Sequence, residues 1–218
     1  MNSFRTFIGL TLITIAIALP PSAHGQLVPG RDYEVLRTAR PTADPAKIEV
    51  LEYFSWGCAS CFQLYPFLSE WERSLPKDVV LVKAPVTLGH AQWTPLSRAF
   101  YALEHSGDLK RLDGAIFRAI HQQRINLFSE DGFADWVALH EVDRTKFVAM
   151  MRSMPVDGKV RAADNGSRSI PIHGTPFILV DGKYKLVGAN AKSYADWPPL
   201  IDQLIAKARA DRARDKKN

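Results

Sequence analysis

Two cysteines, Cys58 and Cys61, are separated by only two residues, and the chain of 218 residues contains no others. Thiols at this spacing can form and open a disulfide with little backbone movement. Such a disulfide closes too short a loop to stabilise a fold by restricting the unfolded chain. The pair is therefore the predicted reaction centre, and thiol–disulfide exchange is its predicted chemistry.

The surrounding pattern gives the two thiols different roles. An apolar run from Ile48 to Phe54 predicts a strand, and after Gly57 a helical pattern begins at Cys58. Unpaired backbone N–H groups at a helix start favour a thiolate there. We therefore expect Cys58 to be the exposed nucleophile, and Cys61, one turn further on, to face the protein as the resolving thiol.

The predicted elements divide the chain after residue 25 into three parts. Residues 26–86 carry a β-α-β unit, in which the helix from Cys58 towards Leu75 precedes a strand from Val79 to Lys83. Residues 87–166 show apolar stripes at helical spacing. Helix starts and ends in this part are predicted at Thr94, Gly107, Ser129, Gly132, Asp143 and Pro155. The last of these stripes is formed by Phe147, Met150, Met151 and Met154.

Residues 167–218 return to a sheet. Two short strands, Phe177 to Val180 and Tyr184 to Val187, flank Asp181-Gly182, which suits the positive φ angles of a type I′ hairpin. A terminal helix follows. The order β-α-β, helical block, β-β-α predicts an α/β protein with the thioredoxin fold and an inserted helical domain.

The ends of the chain bear on its location and partners. Arg5, the apolar run from Phe7 to Ala18 and the small residues around His24 predict a signal peptide over residues 1–25. A membrane anchor is the alternative, but the run is shorter than the roughly 20 residues that a spanning helix needs. The net charge of +5 comes largely from the tail of the last helix, where acidic residues interrupt the basic ones. This pattern favours a solvated helix end and no nucleic-acid partner.

Three motifs occur in a fixed order: Val50-Leu51-Glu52-Tyr53-Phe54-Ser55, then Cys58-Ala59-Ser60-Cys61, and, after the helical block, Gly174-Thr175-Pro176-Phe177. With this order and spacing, the chain resembles the DsbA-like branch of the thioredoxin superfamily, the exported thiol–disulfide oxidoreductases of Gram-negative bacteria. The likeness covers nearly all of the chain after residue 25.

The resemblance implies roles for several residues. Cys58 matches the nucleophile and Cys61 its partner. Pro176 matches a cis-proline that faces the disulfide and leaves the backbone of Thr175 free to pair with an extended substrate. Glu52 matches a buried acid beneath the resolving cysteine, which carries a proton for it.

The strand pattern itself places Glu52 on the same face as Val50 and Phe54, so that its carboxyl points into the core and its pKa rises. The alternative is an acid at a strand edge that pairs with Lys83. We expect the first arrangement, with Glu52 relaying the proton of Cys61.

Two departures from the family pattern affect the expected chemistry. The family usually has Pro-His between the cysteines, whereas this chain has Ala59-Ser60 and so lacks an imidazole that stabilises the thiolate. We therefore expect a weaker oxidant than typical members. Thr175 stands where the oxidases more often have valine and the isomerase branch has threonine. Too few residues precede Ile48 for the separate dimerisation domain of those isomerases, which favours a monomer.

Further residues near the motifs are candidates for substrate binding. Trp56 and Phe62 flank the cysteines and are expected to form an exposed apolar rim that holds unfolded polypeptide. His173 either replaces the missing imidazole electrostatically or is an ordinary exposed loop residue. The chain lacks a second Cys-x-x-Cys motif or paired histidines, so no metal site is predicted.

The resemblance thus implies a periplasmic enzyme that forms disulfides in reduced, exported polypeptides without a cofactor. A quinone-linked membrane oxidase of the DsbB type would reoxidise it. A reductase or isomerase on the same fold is one alternative, and a peptide-binding chaperone without redox activity is another.

Overall fold

The computed structural model describes residues 27–170, 172–188 and 191–216. The predicted signal peptide, residues 1–25, lies outside these ranges. Within them, no helix combines the length and the apolar character that crossing a membrane requires.

The described residues form one five-stranded sheet. Its strands are β1 (Tyr33–Val35), β2 (Ile48–Phe54), β3 (Val79–Pro85), β4 (Phe177–Val180) and β5 (Tyr184–Leu186). Their order across the sheet is β1-β5-β4-β2-β3. Only β2 and β3 run parallel, and every other neighbouring pair is antiparallel. The sheet is therefore mixed, with β2 near its centre.

Helices cover the sheet and fill the long connection between β3 and β4. They are α1 (Ala59–Glu72), α2 (Thr94–Ser106), α3 (Leu109–His121), α4 (Glu130–Ala138), α5 (Arg144–Met151), α6 (Met154–Arg168) and α7 (Trp197–Asp215). The five helices α2 to α6 form the helical insertion, and α7 closes the chain. This order agrees with the predicted sequence of elements except for β1, which pairs with β5 and was not predicted.

Strand β2 leads directly to the cysteines. It lies between β3 and β4 and is buried along nearly its whole length, as its apolar residues on both faces predict. Its bounds, Ile48–Phe54, are the predicted ones, whereas β3 continues two residues beyond Lys83. Because β2 and β3 are parallel, their carboxyl ends lie at the same edge of the sheet. Helix α1, which follows β2, starts at this edge.

The hairpin between β4 and β5 is also confirmed. Asp181 and Gly182 have φ angles of 56° and 63°, as a type I′ turn requires. A Cβ atom on Gly182 would lie 2.1 Å from the backbone oxygen of Arg40. Glycine is therefore required there by both the φ angle and the close approach of another segment.

Two predicted helix breaks are wrong. Gly132 lies in the first turn of α4, where its N–H donates to the Oγ atom of Ser129 at 3.2 Å. Pro155 does not end a helix but stands in the first turn of α6, where a missing N–H costs nothing. Met154 consequently leaves the predicted stripe and is 84% exposed. The predicted starts at Thr94, Ser129 and Asp143 and the end at Gly107 are confirmed.

Helix α1 is held between two apolar clusters. Cys61 packs into a cluster with residues of the insertion, such as Phe100 and Phe117. Leu64 and Leu68 pack into a second cluster that includes the buried face of α7. Burial of large apolar side chains on both sides fixes the helix that carries the two thiols.

Candidate active site

Cys58 is the N-cap residue of α1. Its backbone is extended, with φ −90° and ψ 119°, and its Sγ atom accepts the backbone N–H of Cys61 at 3.5 Å. The Sγ atom thus lies at the positive end of the helix dipole, where a negative charge is stabilised. The side chain is half-buried, so a substrate sulfur can reach it.

Hydrogen bonds lower the pKa of Cys58 to about 5. The largest contribution is the hydrogen bond from the Cys61 thiol, which outweighs the opposing effect of partial burial. Hydrogen bonds from the Thr175 side chain and from the backbone of Cys61 and Ser60 lower the pKa further. Cys58 is therefore a thiolate at neutral pH in the reduced protein, as the helix position predicted.

Cys61 has the opposite character. Its side chain is 0% exposed, and burial raises its pKa well above the usual range. The hydrogen bond that it donates to Cys58 and the negative charges of Cys58 and Glu52 act in the same direction. Cys61 is therefore a thiol when Cys58 is a thiolate. Cys61 is buried as predicted, whereas Cys58 is half-buried where an exposed residue was expected.

The loop before β4 faces the cysteines. The Thr175–Pro176 peptide bond is cis, as the resemblance implied. The backbone oxygen of Thr175 lies 3.3 Å from the Sγ atom of Cys58 and accepts its hydrogen when the thiol is protonated. His173 in the same loop is exposed, and its electrostatic influence on Cys58 stays a prediction.

Glu52 is buried in β2, with 3% of its surface exposed. Burial raises the pKa of its carboxyl to about 7, although the nearby positive charge of Lys83 works against this rise. Lys83 lies beside Glu52 in the parallel register of β2 and β3. The buried arrangement is therefore the one that forms. The alternative of an acid at a strand edge that pairs with Lys83 is wrong, because β2 is an inner strand and Lys83 donates to Asp113 at 2.6 Å.

Trp56 is not part of an exposed rim, and this prediction is wrong. The side chain is 1% exposed, and its indole N–H donates to the Oδ1 atom of Asp113 at 2.7 Å. It packs against Phe100 and Phe133 of the insertion, with ring centroids 5.6 and 5.7 Å away. The sequence could not show that the insertion folds over this position and turns it into core.

Phe62, the other predicted rim residue, is half-buried on α1. Its ring stacks on that of His121, with centroids 4.9 Å apart and planes 13° from parallel. The Nε2 atom of His121 donates to the backbone oxygen of Trp56 at 2.7 Å, because a carbonyl oxygen can only accept. His121, the last residue of α3, was not singled out in the sequence.

Two further aromatic residues of the insertion lie next to Gly57, which precedes the first cysteine. A Cβ atom on Gly57 would meet Trp93 Nε1 at 2.5 Å and Phe128 Cε1 at 3.0 Å. Both side chains are half-buried beside Gly57, the residue before Cys58. The sequence signal for them was Gly57 itself, since a glycine before a reactive residue often marks a close approach by another segment.

No group of three or more histidine, cysteine or acidic side chains in the described part of the chain is arranged to hold a metal ion. The reactive groups that the structure brings together are the two thiols, Glu52 and the Thr175–Pro176 loop. Their geometry suits thiol–disulfide exchange, since one sulfur is acidic and accessible and the other is buried beside a carboxyl of raised pKa.

Comparisons with known proteins agree with this geometry. The family model of the DSBA-like thioredoxin domain matches residues 49–193. The protein named thiol:disulfide interchange protein DsbA from Pseudomonas aeruginosa is 32% identical over 181 residues, which cover 83% of this chain and 85% of the relative. The protein of the same name from Bordetella pertussis is 33% identical over 180 residues, or 82% and 85% of the two chains.

Solved structures show the same relationship. The crystal structure of Pseudomonas aeruginosa DsbA superposes with a TM-score of 0.80 and 31% identity, covering 86% of this chain and 97% of the other. The oxidoreductase DsbA from Xylella fastidiosa gives a TM-score of 0.79 with 30% identity over 85% and 100% of the two chains. The chain therefore belongs to the DsbA-like thioredoxin domain family of thiol–disulfide oxidoreductases, with the α/β thioredoxin fold and inserted helical domain that the sequence predicted.

Proposed function

We propose that this protein works as a dithiol oxidase, which introduces disulfides into reduced polypeptides exported to the periplasm. The observation that carries the proposal is the contrast between the two sulfurs. The pKa of Cys58 falls to about 5, whereas burial raises that of Cys61 well above its usual range. A stabilised thiolate favours the reduced form of the enzyme and so makes its disulfide an oxidant.

The first step is attack of a substrate thiolate on the Cys58 sulfur of the oxidised enzyme. The Cys58–Cys61 bond breaks, a mixed disulfide forms at Cys58, and the electron pair of the broken bond passes to Cys61. A buried Cys61 thiolate is unfavourable, so its sulfur takes a proton. Glu52, whose pKa of about 7 leaves it partly protonated at neutral pH, supplies that proton and recovers it from water.

The second step releases the product. The second thiolate of the substrate attacks its own sulfur in the mixed disulfide, and Cys58 departs with the bonding electrons. The low pKa of Cys58 makes it a good leaving group. The substrate has then lost two electrons and two protons. The enzyme keeps both electrons, with one proton on Cys61 and the other released to solvent.

Substrate polypeptide would lie across the Thr175–Pro176 loop and the aromatic surface around Cys58. Phe62, Trp93 and Phe128 are half-buried there and provide apolar contact without sequence preference. The backbone of Thr175 is adjacent to the reactive sulfur and can pair with an extended segment. His173 is exposed in the same loop and can contact the substrate as well.

The remaining parts of the proposal rest on the relatives and on the sequence. Export follows from the predicted signal peptide at residues 1–25. The proteins named thiol:disulfide interchange protein DsbA support a membrane partner of the DsbB type that reoxidises Cys58 and Cys61. We further propose that the protein acts as a monomer, without a cofactor and without binding nucleic acid, and that residues 26–86, 87–166 and 167–218 are its three structural parts.

A reductase or isomerase is the second candidate, because two features of the site point in that direction. Ala59-Ser60 supplies no imidazole to the thiolate, and Thr175 is the residue of the isomerase branch. The pKa of about 5 for Cys58 also lies between the values of about 7 in thioredoxin and about 3.5 in a strongly oxidising DsbA.

The reduction potential of the Cys58–Cys61 pair distinguishes these functions. Equilibration in glutathione buffers can be followed by tryptophan fluorescence, because Trp56 lies two residues before Cys58. A dithiol oxidase weaker than strongly oxidising relatives should fall between about −270 mV for thioredoxin and about −120 mV for DsbA, towards the upper end. A value at the thioredoxin end would overturn the oxidase proposal in favour of a reductase or isomerase.

A further inference from the structure

A charged cleft of about 480 Å³ lies between α1, β3 and α3, and the carboxyl of Glu52 forms part of its wall. The other polar lining residues include Tyr65, Glu72, Lys83, Lys110 and Asp113. Glu72 and Lys110 are exposed, so the cleft opens to solvent. The cleft therefore connects the wall formed by the Glu52 carboxyl with solvent.

Within this cleft, Lys83 faces two carboxylates. Its Nζ atom donates to the Oδ2 atom of Asp113 at 2.6 Å, whereas Glu52 is its neighbour across the parallel strands. Nζ also lies 4.6 Å from the ring centroid of Phe54 and 5.2 Å from that of Tyr65. Aromatic faces on two sides and a short bond to Asp113 together fix the ammonium group.

Asp113 is held as firmly as the lysine. Its side chain is buried, and its two oxygens accept separate bonds, one from Lys83 and one from the indole of Trp56 at 2.7 Å. Lys83 belongs to the sheet and Trp56 precedes the cysteines, while Asp113 belongs to the helical insertion. The insertion thus places one negative charge, that of Asp113, next to Lys83 and Trp56.

We propose that Asp113 is a positioning residue for proton transfer at Cys61, because it binds the Lys83 ammonium and leaves the Glu52 carboxyl able to carry the proton that Cys61 takes up. This inference rests on the proposed role of Glu52 in the oxidase reaction. Without the bond to Asp113, the full charge of Lys83 would be available to hold Glu52 as a carboxylate, which has no proton to give.

The electrostatics around Glu52 agree with this role. Burial raises its pKa to about 7, Lys83 opposes the rise, and the charge of Asp113 contributes to it. For Lys83 itself, burial disfavours the ammonium, but Asp113 and Glu52 outweigh burial and raise its pKa above the usual value. The strand partner in β4, Ile178, carries no charge. The ionisable groups that line the cleft or act on Glu52 from β3, α3 and α1 are Lys83, Asp113, Lys110, Cys58, Cys61, Tyr65, Glu72 and Arg73.

The test is a titration of Glu52 in the reduced full-length protein and in its Asp113→Asn variant. The carboxyl carbon is followed by ¹³C NMR of glutamate-labelled protein, and its signal is assigned by its loss in Glu52→Gln. We expect Asp113→Asn to move the inflection of Glu52 downward by about one pH unit, because a nearby negative charge is removed. The matched control is Asp108→Asn, which removes the same charge next to α3 but from a carboxylate bound to Arg111 outside the cleft.

The pH dependence of dithiol peptide oxidation is measured on the same variants. The proposal predicts that the rate of mixed-disulfide formation falls off at a correspondingly lower pH in Asp113→Asn, and that Asp108→Asn leaves it unchanged. An unmoved Glu52 inflection in Asp113→Asn would overturn the role of Asp113, even if the rate still followed the titration of Glu52 as the proposed function requires. If the inflection moved while the rate did not follow, proton transfer by Glu52 would itself be wrong, and the role of Asp113 with it.

A second comparison serves if Asp113→Asn does not fold. The double variant Lys83→Gln with Asp113→Asn replaces the buried ion pair by neutral groups that can still hydrogen-bond, which proteins often tolerate. Because Asp113 is proposed to act by holding the Lys83 ammonium, the double variant should show a Glu52 inflection at or above that of the wild type, since the charge that favours the carboxylate is gone. An inflection that falls below the wild-type value in the double variant would mean that Asp113 acts on Glu52 by its own charge and not through Lys83, which would overturn the proposal.

Discussion

The two sulfurs of the active site lie only one helical turn apart, yet their surroundings are built in different ways. Cys58 is controlled by its position at the start of α1 and by donors from its own motif and the Thr175 loop. Cys61 is controlled by burial and by Glu52, which in turn faces Lys83 of β3 and Asp113 of the insertion. The reactivity of the first is mostly local in sequence, whereas that of the second depends on tertiary structure.

This difference explains why substitutions at the two sulfurs should have different consequences. Substitution on the Cys58 side should change the acidity of the nucleophile and the driving force of oxidation. Substitution on the Cys61 side should change proton transfer and the pH dependence of stability. Variants on each side can test that separation.

Replacing Cys58 should have the largest effect. Cys58→Ser removes the sulfur that substrates attack, so we expect complete loss of peptide oxidation. Cys61→Ser retains the nucleophile but loses the resolving thiol, so mixed disulfides with reactive disulfide probes should accumulate. Mass spectrometry of the trapped species checks both outcomes. Mixed disulfides that form in Cys58→Ser at Cys61 would contradict the assignment of roles.

Glu52→Gln should stabilise the reduced protein at alkaline pH. The pKa of Glu52 rises from 4.5 to about 7 on folding, so native Glu52 binds its proton more tightly than the unfolded chain does. Its favourable contribution is complete below about pH 4.5 and is lost as pH rises through about 7. At pH 8 the free energy of unfolding is therefore lower by about 3 kcal/mol than it would be with Glu52 fully protonated in the folded protein at low pH.

Denaturant unfolding of the wild type and Glu52→Gln at about pH 5 and pH 8 measures this effect. We expect the advantage of Glu52→Gln to grow with pH, and the comparison at the lower pH serves as the internal control. The same variant should also slow peptide oxidation, because glutamine cannot carry the proton. An advantage that is independent of pH would mean that Glu52 is an ordinary ionised carboxylate in the folded protein.

Gly57→Ala should disturb the contact between the insertion and the cysteines. A Cβ atom at this position would lie 2.5 Å from Trp93 Nε1, so the indole must move. We expect a loss of about 1–3 kcal/mol in the free energy of unfolding, together with weaker peptide binding. The matched control is Gly158→Ala in α6, where a Cβ atom would meet no atom within 4 Å and helix propensity should improve.

Ser60→His should have the smallest effect and should act on Cys58 alone. An imidazolium beside the thiolate lowers the pKa of Cys58 and makes the disulfide more oxidising, by an expected rise of about 30 mV in reduction potential. Equilibration with glutathione measures the change. The Glu52 titration in the same variant is the control, since Lys83 and Asp113, which act on Glu52, lie on β3 and α3. A large shift of Glu52 together with Cys58 would break the separation between the two sides.

The parts of the molecule that could be predicted from sequence follow the same division. The start of α1, β2 and the Asp181-Gly182 hairpin depend on short-range signals, and each was found close to its predicted bounds. The acidity of Cys58 and the burial of Cys61 followed from helix geometry. The cis bond before Pro176 could be expected only from the family resemblance, because neighbouring residues do not determine it.

Positions that depend on the insertion could not be predicted in this way. Trp56 flanks the cysteines and is therefore predicted at an exposed rim, but Asp113 and the aromatic core of the insertion bury it. Trp93 and Phe128 had no signal of their own that linked them to Cys58. Gly132 and Pro155 were misread as helix breaks, because both residue types are also tolerated in the first turn of a helix.

The reduced enzyme holds one thiolate and one thiol at neutral pH. Titration of the ultraviolet absorbance of the thiolate in the reduced protein, with Cys61→Ser and Cys58→Ser as references, tests this assignment directly. We expect one ionisation near pH 5, lost in Cys58→Ser, and no ionisation of Cys61 below pH 9. A Cys58 pKa near the value of about 8.5 for a free cysteine, or ionisation of Cys61 before Cys58, would contradict it.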